Sequence, residues 1–171
     1  MRKKIINNLF IMGFIFYTLF ILWNILFKYV SPLEIFSNDR FFSQTLNIIP
    51  FNDVFKGNFN KMDIYGNIIL FIPFGIYINM IIKDLSLSKI ICIIAVISFI
   101  FEVSQYVLGI GASDITDIIT NTIGGIIGIG IYIIIKSIFK YDNKVKSFIT
   151  ICSTIIMLIV SIILIGIFIY N

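Results

Sequence analysis

Five long apolar runs constrain this chain more than any other feature of it. They cover about residues 5–27, 64–82, 90–108, 115–135 and 148–170. Each is close to the length of about 20 residues that a helix needs to cross a hydrocarbon core. Such runs predict an all-α, polytopic membrane helix bundle with five transmembrane helices, organised as one domain over residues 1–171. The mean hydropathy of +1.05 leaves no room for a sizeable soluble domain beside them. The first run follows Arg2, Lys3 and Lys4, as a signal peptide would, but it is longer than an h-region and lacks a small-residue cleavage site.

Charge placement predicts an orientation. A cytoplasmic N-terminus puts Arg2, Lys3, Lys4, Lys83, Lys89, Lys136, Lys140, Lys144 and Lys146 inside, nine of thirteen basic residues. The 31–63 loop, the turn after residue 108 and the C-terminus then face outward. The net charge of +4 could suggest nucleic acid, but basic residues confined to segments between spans are explained by membrane orientation, so no nucleic-acid partner is expected. Trp23 and Tyr29 read as interfacial aromatics and Lys28 as the flank of the first span. The loop carries Pro32, Pro50 and Gly57, and Glu34, Asp39 and Asp53 nearly balance Arg40 and Lys56. Phe41, Phe42, Ile48, Ile49, Phe51, Phe55 and Phe59 make it too apolar for a free linker. It is expected to lie on the membrane surface or to fold back over the bundle with a short amphipathic turn.

Against this apolar background, residues 102–128 stand out: EVSQYVLGIGASDITDIITNTIGGIIG. Glu102, Gln105, Asp114, Asp117 and Asn121 lie in or beside hydrophobic runs, with no Lys or Arg between Lys89 and Lys136. A charged Asp near mid-bilayer costs about 2.5–3.5 kcal/mol on insertion scales, so each polar group needs a reason. At about 100° per residue, Asp114, Asp117, Asn121, Gly125 and Gly128 share one helix face. Ala95, Ser98, Glu102, Gln105 and Gly109 share another. The turn over residues 109–113 is short, which makes the two helices antiparallel neighbours with facing polar stripes. Small residues on both faces allow the close approach by which helices associate in lipid. Asp63 and Asn67 begin the second span on the same expected outer side, and Pro73 within that span predicts a kink.

Plainer roles compete with functional ones. Asp114 can be a helix N-cap and Asp117 a first-turn acid favoured by the helix dipole. Glu102 can be a hydrogen-bonded acid serving helix association alone, with Gln105, Asn67 or a backbone carbonyl as its partner. Gln105 and Asn121 can be interhelical glue, and Gly124-x-x-x-Gly128 a packing motif. Functional use is the default for an ionisable group within a span. Binding is therefore expected at Asp63, Asn67, Glu102, Gln105, Asp114, Asp117 and Asn121. The chain has no His, which removes the commonest general base and argues against a zinc site. No metal is expected, although acids alone could hold a hard divalent cation through oxygen ligands. No cofactor motif is present. Cys92 and Cys152 fall within spans and read as buried free thiols.

Several of these segments, taken together, resemble the VanZ family of bacterial membrane proteins. LNIIPF (46–51) is similar to the family's outer-loop signature, and NIILFIPFG (67–75) to its Asn-anchored, proline-containing span. Glu102-x-x-Gln105 followed by GASDITDIITNTIGG (111–125) resembles its most diagnostic block. Many members carry an Arg just ahead of the first Asp of that block, where this chain has Ala112-Ser113. The resemblance thus implies that the acids lack a built-in cation here.

The family is named for an accessory protein of glycopeptide-resistance clusters that raises teicoplanin resistance. The resemblance implies a multi-pass plasma-membrane protein with that phenotype and without assigned chemistry. The expected partners are membrane lipid and either a lipoglycopeptide, whose acyl chain distinguishes teicoplanin from vancomycin, or a lipid-linked wall precursor. The alternative is an enzyme acting on a lipid-linked envelope substrate, with Glu102, Asp114 and Asp117 as its acid/base candidates. A carrier using Glu102 as a proton-binding group is a third reading, disfavoured by the lack of an internal repeat. Oligomeric state is not legible in the sequence.

Overall fold

A computed structural model describes residues 2–28, 43–57, 61–82 and 84–170. The expectations placed on Tyr29, Pro32, Glu34, Asp39, Arg40, Phe41, Phe42, Phe59 and Lys83 lie outside the described residues. The elements are α1 (Arg2–Leu26), β1 (Ser43–Asn47), α2 (Asn52–Phe55), α3 (Lys61–Ile81), α4 (Leu87–Leu108), β2 (Ile110–Asp114), α5 (Ile115–Phe139) and α6 (Asp142–Tyr170). Five of the helices are long and apolar enough to cross a membrane. Their lengths of 21 to 29 residues exceed the predicted spans by a turn or less at most ends. The extra turns carry the flanking Lys and Asp residues, because a helix continues past the hydrocarbon boundary for as long as no Gly or Pro stops it.

The chain divides into two compact units, Leu22–Tyr132 and Met1–Ile21 with Ile133–Asn171. Within the first, α3 and α5 run parallel and pack backbone against backbone. A Cβ added at Gly124 would meet the Ile68 carbonyl, one at Gly128 the Ile72 carbonyl, and one at Gly75 the Gly125 carbonyl. Absence of side chains at these positions is what lets the two axes approach. Helix α4 is antiparallel to α5, with Ile94 over Gly125 and Ser98 joined to Asn121. The small-residue stripe expected to face α4 alone is therefore shared between two helices. Phe71, fully buried, fills the space between them and stacks edge-on against Phe74 and Phe101, with ring centroids 5.5 and 6.3 Å apart. Pro73 lies inside α3, whose helix continues through it.

The expected turn over residues 109–113 is instead mostly a strand. Helix α4 ends at Gly109, whose left-handed φ of 61° is the usual glycine stop. From there β2 pairs in parallel with β1, Ser43 opposite Ile110 and Asn47 opposite Asp114. Residues 43–57 of the loop preceding α3 thus fold back onto the junction of α4 and α5, in keeping with one of the two dispositions expected for the loop. Main-chain pairing anchors it, and its described residues carry a single-turn helix, α2.

In the second unit α5 turns into α6 through Lys140, at φ 57°, and the Phe139 and Phe148 rings close the corner at 5.0 Å. Helix α6 buries Val145, Ile149 and Thr150 near its start. The rest of it, rich in Ile and Leu, is exposed in the isolated chain, as suits a surface solvated by lipid.

Candidate functional site

The acids meet where α1 ends, α3 and α5 begin, and β1 and β2 pair. Asp114 closes β2 and caps α5: its Oδ1 accepts the Thr116 N–H at 2.7 Å. Its Oδ2 accepts from Asn47 Nδ2 at 3.0 Å, so the cross-strand neighbour fixes the carboxylate. One turn deeper, Glu102 Oε2 accepts the Asp114 main-chain N–H at 2.8 Å. Glu102 is 1% exposed, and its Oε1 has no hydrogen-bond partner. The plain reading of Asp114 as an N-cap therefore has structural substance. Glu102, by contrast, is hydrogen-bonded not to Gln105, Asn67 or a carbonyl, as expected for helix association alone, but to the main chain of the strand that presents Asp114.

A cation is present after all. Lys28, just beyond α1, places Nζ 2.9 Å from Asp63 Oδ1 and 3.9 Å from Asp117 Oδ2. The expectation that the acids lack a built-in cation is corrected here, because the charge comes from the far end of another helix. Sequence could have narrowed the choice, since only Lys28, Arg40, Lys56 and Lys61 fall on the predicted outer side.

These groups surround a cleft of about 100 Å³ lined, among the described residues, by the aspartates Asp53, Asp63, Asp114 and Asp117 and by one basic residue, Lys28. Phe51, Val54, Ile64, Ala112 and Thr116 complete it. Phe51 sits at φ 57°, a conformation that costs a bulky residue about 1–3 kcal/mol. Its N–H donates to Thr116 Oγ1 at 2.9 Å, which holds it there.

Of the seven binding candidates, Asp63, Asp114 and Asp117 line the cleft. Asn67 is buried with its side-chain amide directed at the Asp117 carboxylate. Gln105 Nε2 instead donates to the Ile25 carbonyl at 2.7 Å, tying α4 to the end of α1. Asn121 Nδ2 donates to Ser98 Oγ at 2.8 Å and joins α4 to α5. Gln105 Oε1 and Asn121 Oδ1 are buried without partners, so the interior behind the cleft is polar. Lys28, Asn47, Phe51, Asp53 and Thr116 are cleft or bracing residues that the sequence reading did not assign to the site. Among the described residues no three His, Cys, Asp or Glu side chains converge as metal ligands would. Cys92 is exposed on its helix, where it was expected to be buried, and Cys152 is half-buried.

Spanning helices, a two-stranded cap and an acid-lined cleft beneath it define a multi-pass membrane protein with a polar site at one end of its bundle. The VanZ/LLP1 family profile matches residues 14–136. The chain belongs to this family. It is 38% identical over 116 residues, 68% of each chain, to Protein VanZ of Enterococcus faecium. No solved structure matches.

Proposed function

We propose that this protein is a plasma-membrane accessory protein that lowers susceptibility to teicoplanin-type lipoglycopeptides. It does so by binding the antibiotic, or a lipid-linked wall precursor, through the acid-lined cleft on the outer face. Membership of the VanZ family supports the phenotype. The convergence of aspartates from α2, α3, β2 and α5 on one opening carries the site assignment. At about 100 Å³ the cleft is well below the ~300–1,000 Å³ of pockets that enclose drug-sized ligands. It therefore takes one compact, cationic or hydrogen-bond-donating group, while the acyl part of the ligand stays in the adjoining lipid. Among the described lining residues, four carboxylates against one ammonium favour positive charge in that group.

The test is teicoplanin tolerance of cells expressing Asp63→Asn, Asp117→Asn and Lys28→Gln at equal membrane levels. Loss of tolerance in the two aspartate variants is expected. Wild-type tolerance in all three would remove the cleft as the working site. An Asp114-dependent change in the lipid or wall-precursor profile would instead identify an enzyme using paired carboxylates as acid and base.

A further inference from the structure

The unit formed by Met1–Ile21 and Ile133–Asn171 holds seven basic residues and one acid, Asp142. Asp142 faces Lys136 at 4.0 Å and is not among the residues lining the cleft beside it. That cleft, about 290 Å³, is lined by Lys3, Ile6 and Asn7 of α1 and by Asn143, Lys146 and Ser147 of α6. Each set has the i, i+3, i+4 spacing of a single helix face. Both helices also begin here, so the positive ends of two macrodipoles add to two ammonium groups. The Lys146 Nζ lies 4.7 Å over the buried Phe10 ring, a contact that restrains its long side chain at the cleft wall.

The face continues in a different character. Ser147, Ile151, Ile155, Leu158 and Ile162 fall within about 80° of arc on α6, and the four apolar residues are exposed. A donor-rich, positive cleft thus opens onto an apolar stripe along one helix. We infer that this cleft binds the phosphate-bearing headgroup of an anionic phospholipid, with an acyl chain laid along α6. Lys3 and Lys146 supply charge, and Asn7, Asn143 and Ser147 supply hydrogen bonds to the phosphate oxygens. A free phosphate shares the headgroup chemistry but makes no use of the stripe. The lining residues fall outside the 14–136 region common to the family, and the site is independent of the acid-lined cleft.

The test uses the full chain in micelles, with phosphatidylglycerol, phosphatidylcholine or inorganic phosphate added. Retained lipid is read by native mass spectrometry, and stabilisation by the rise in unfolding temperature. Phosphatidylglycerol is expected to be retained in preference to phosphatidylcholine. Lys3→Gln and Lys146→Gln should each weaken retention about fivefold, the worth of one basic residue at an anionic headgroup. Lys144→Gln, which removes the same charge outside the cleft, should leave retention at the wild-type level. Lys146→Arg keeps both the charge and the Phe10 contact and should retain lipid. Lys3 lies on the surface, so its variant tests the site even if Lys146→Gln unfolds. Equal losses in the Lys144 and cleft variants would reduce the effect to diffuse surface charge and overturn the proposal. So would unchanged retention in Lys3→Gln, or inorganic phosphate stabilising the protein as well as phosphatidylglycerol.

Discussion

Glu102 and Lys28 illustrate opposite limits of what single residues disclose. Glu102 is conspicuous in sequence because an acid inside an apolar run demands a partner. The structure supplies the Asp114 main-chain N–H at 2.8 Å. Glu102→Ala should therefore destabilise the protein by about 2–3 kcal/mol, through a lost side chain and an orphaned buried donor. Glu102→Gln, which keeps an acceptor there, should cost less than about 1 kcal/mol. Denaturant titration in micelles distinguishes them, and equal losses would mean the acceptor role is wrong. Lys28, by contrast, looks like any basic flank of a membrane span. Its pairing with Asp63 and Asp117 is a three-dimensional fact, invisible until α1, α3 and α5 are brought together. Asn47→Ala should free the Asp114 Oδ2 and lower tolerance with little change in stability, because Asp114 keeps its Thr116 contact. Tolerance and unfolding measured on the same variant check both halves of that statement.

At the scale of elements, the helices were legible and the strands were not. Hydropathy sums over about 20 residues, so five spans emerge whatever their partners. SQTLN and IGASD are five residues each, without alternation, and pair only because intervening helices return the chain to the same end. Nothing local marks them, and glycine at 109 and 111 makes the second read as a turn. The packing glycines were half legible: Gly124 and Gly128 signal close approach, but not that α3 is the neighbour. The structure sharpens the test. Gly128→Ala drives a methyl group into the Ile72 carbonyl and should cost about 1–3 kcal/mol. Gly130→Ala meets nothing within 4 Å and should be neutral or stabilising by about 0.5–1 kcal/mol. Thermal unfolding of the two variants in the same micelle reads the difference.

Across the whole molecule, charge is divided unevenly. Residues 22–132 hold eight of the nine acids, while the remainder holds seven of the thirteen basic residues and one acid. The positive-inside rule, applied to the lysines flanking the spans, predicts a cytoplasmic N-terminus and an outward-opening acid-lined cleft. Reporter fusions after residue 86 and after residue 170 should accordingly be active inside and outside, respectively. The reverse pattern would place the cleft in the cytoplasm and separate it from any extracellular ligand. Sequence yields this orientation only as a bias in lysine placement, because a helix bundle carries no mark of which side is which.

The parallel pairing of β1 with β2 also sets an order of assembly. Partners 67 residues apart in sequence leave the ribosome roughly 3–13 s apart at ordinary elongation rates. During that interval α3 and α4 must enter the bilayer while the earlier strand waits with its edge open. A nascent chain halted before residue 110 therefore has membrane anchorage but no acid-lined cleft, whose walls are complete only with the fourth span in place.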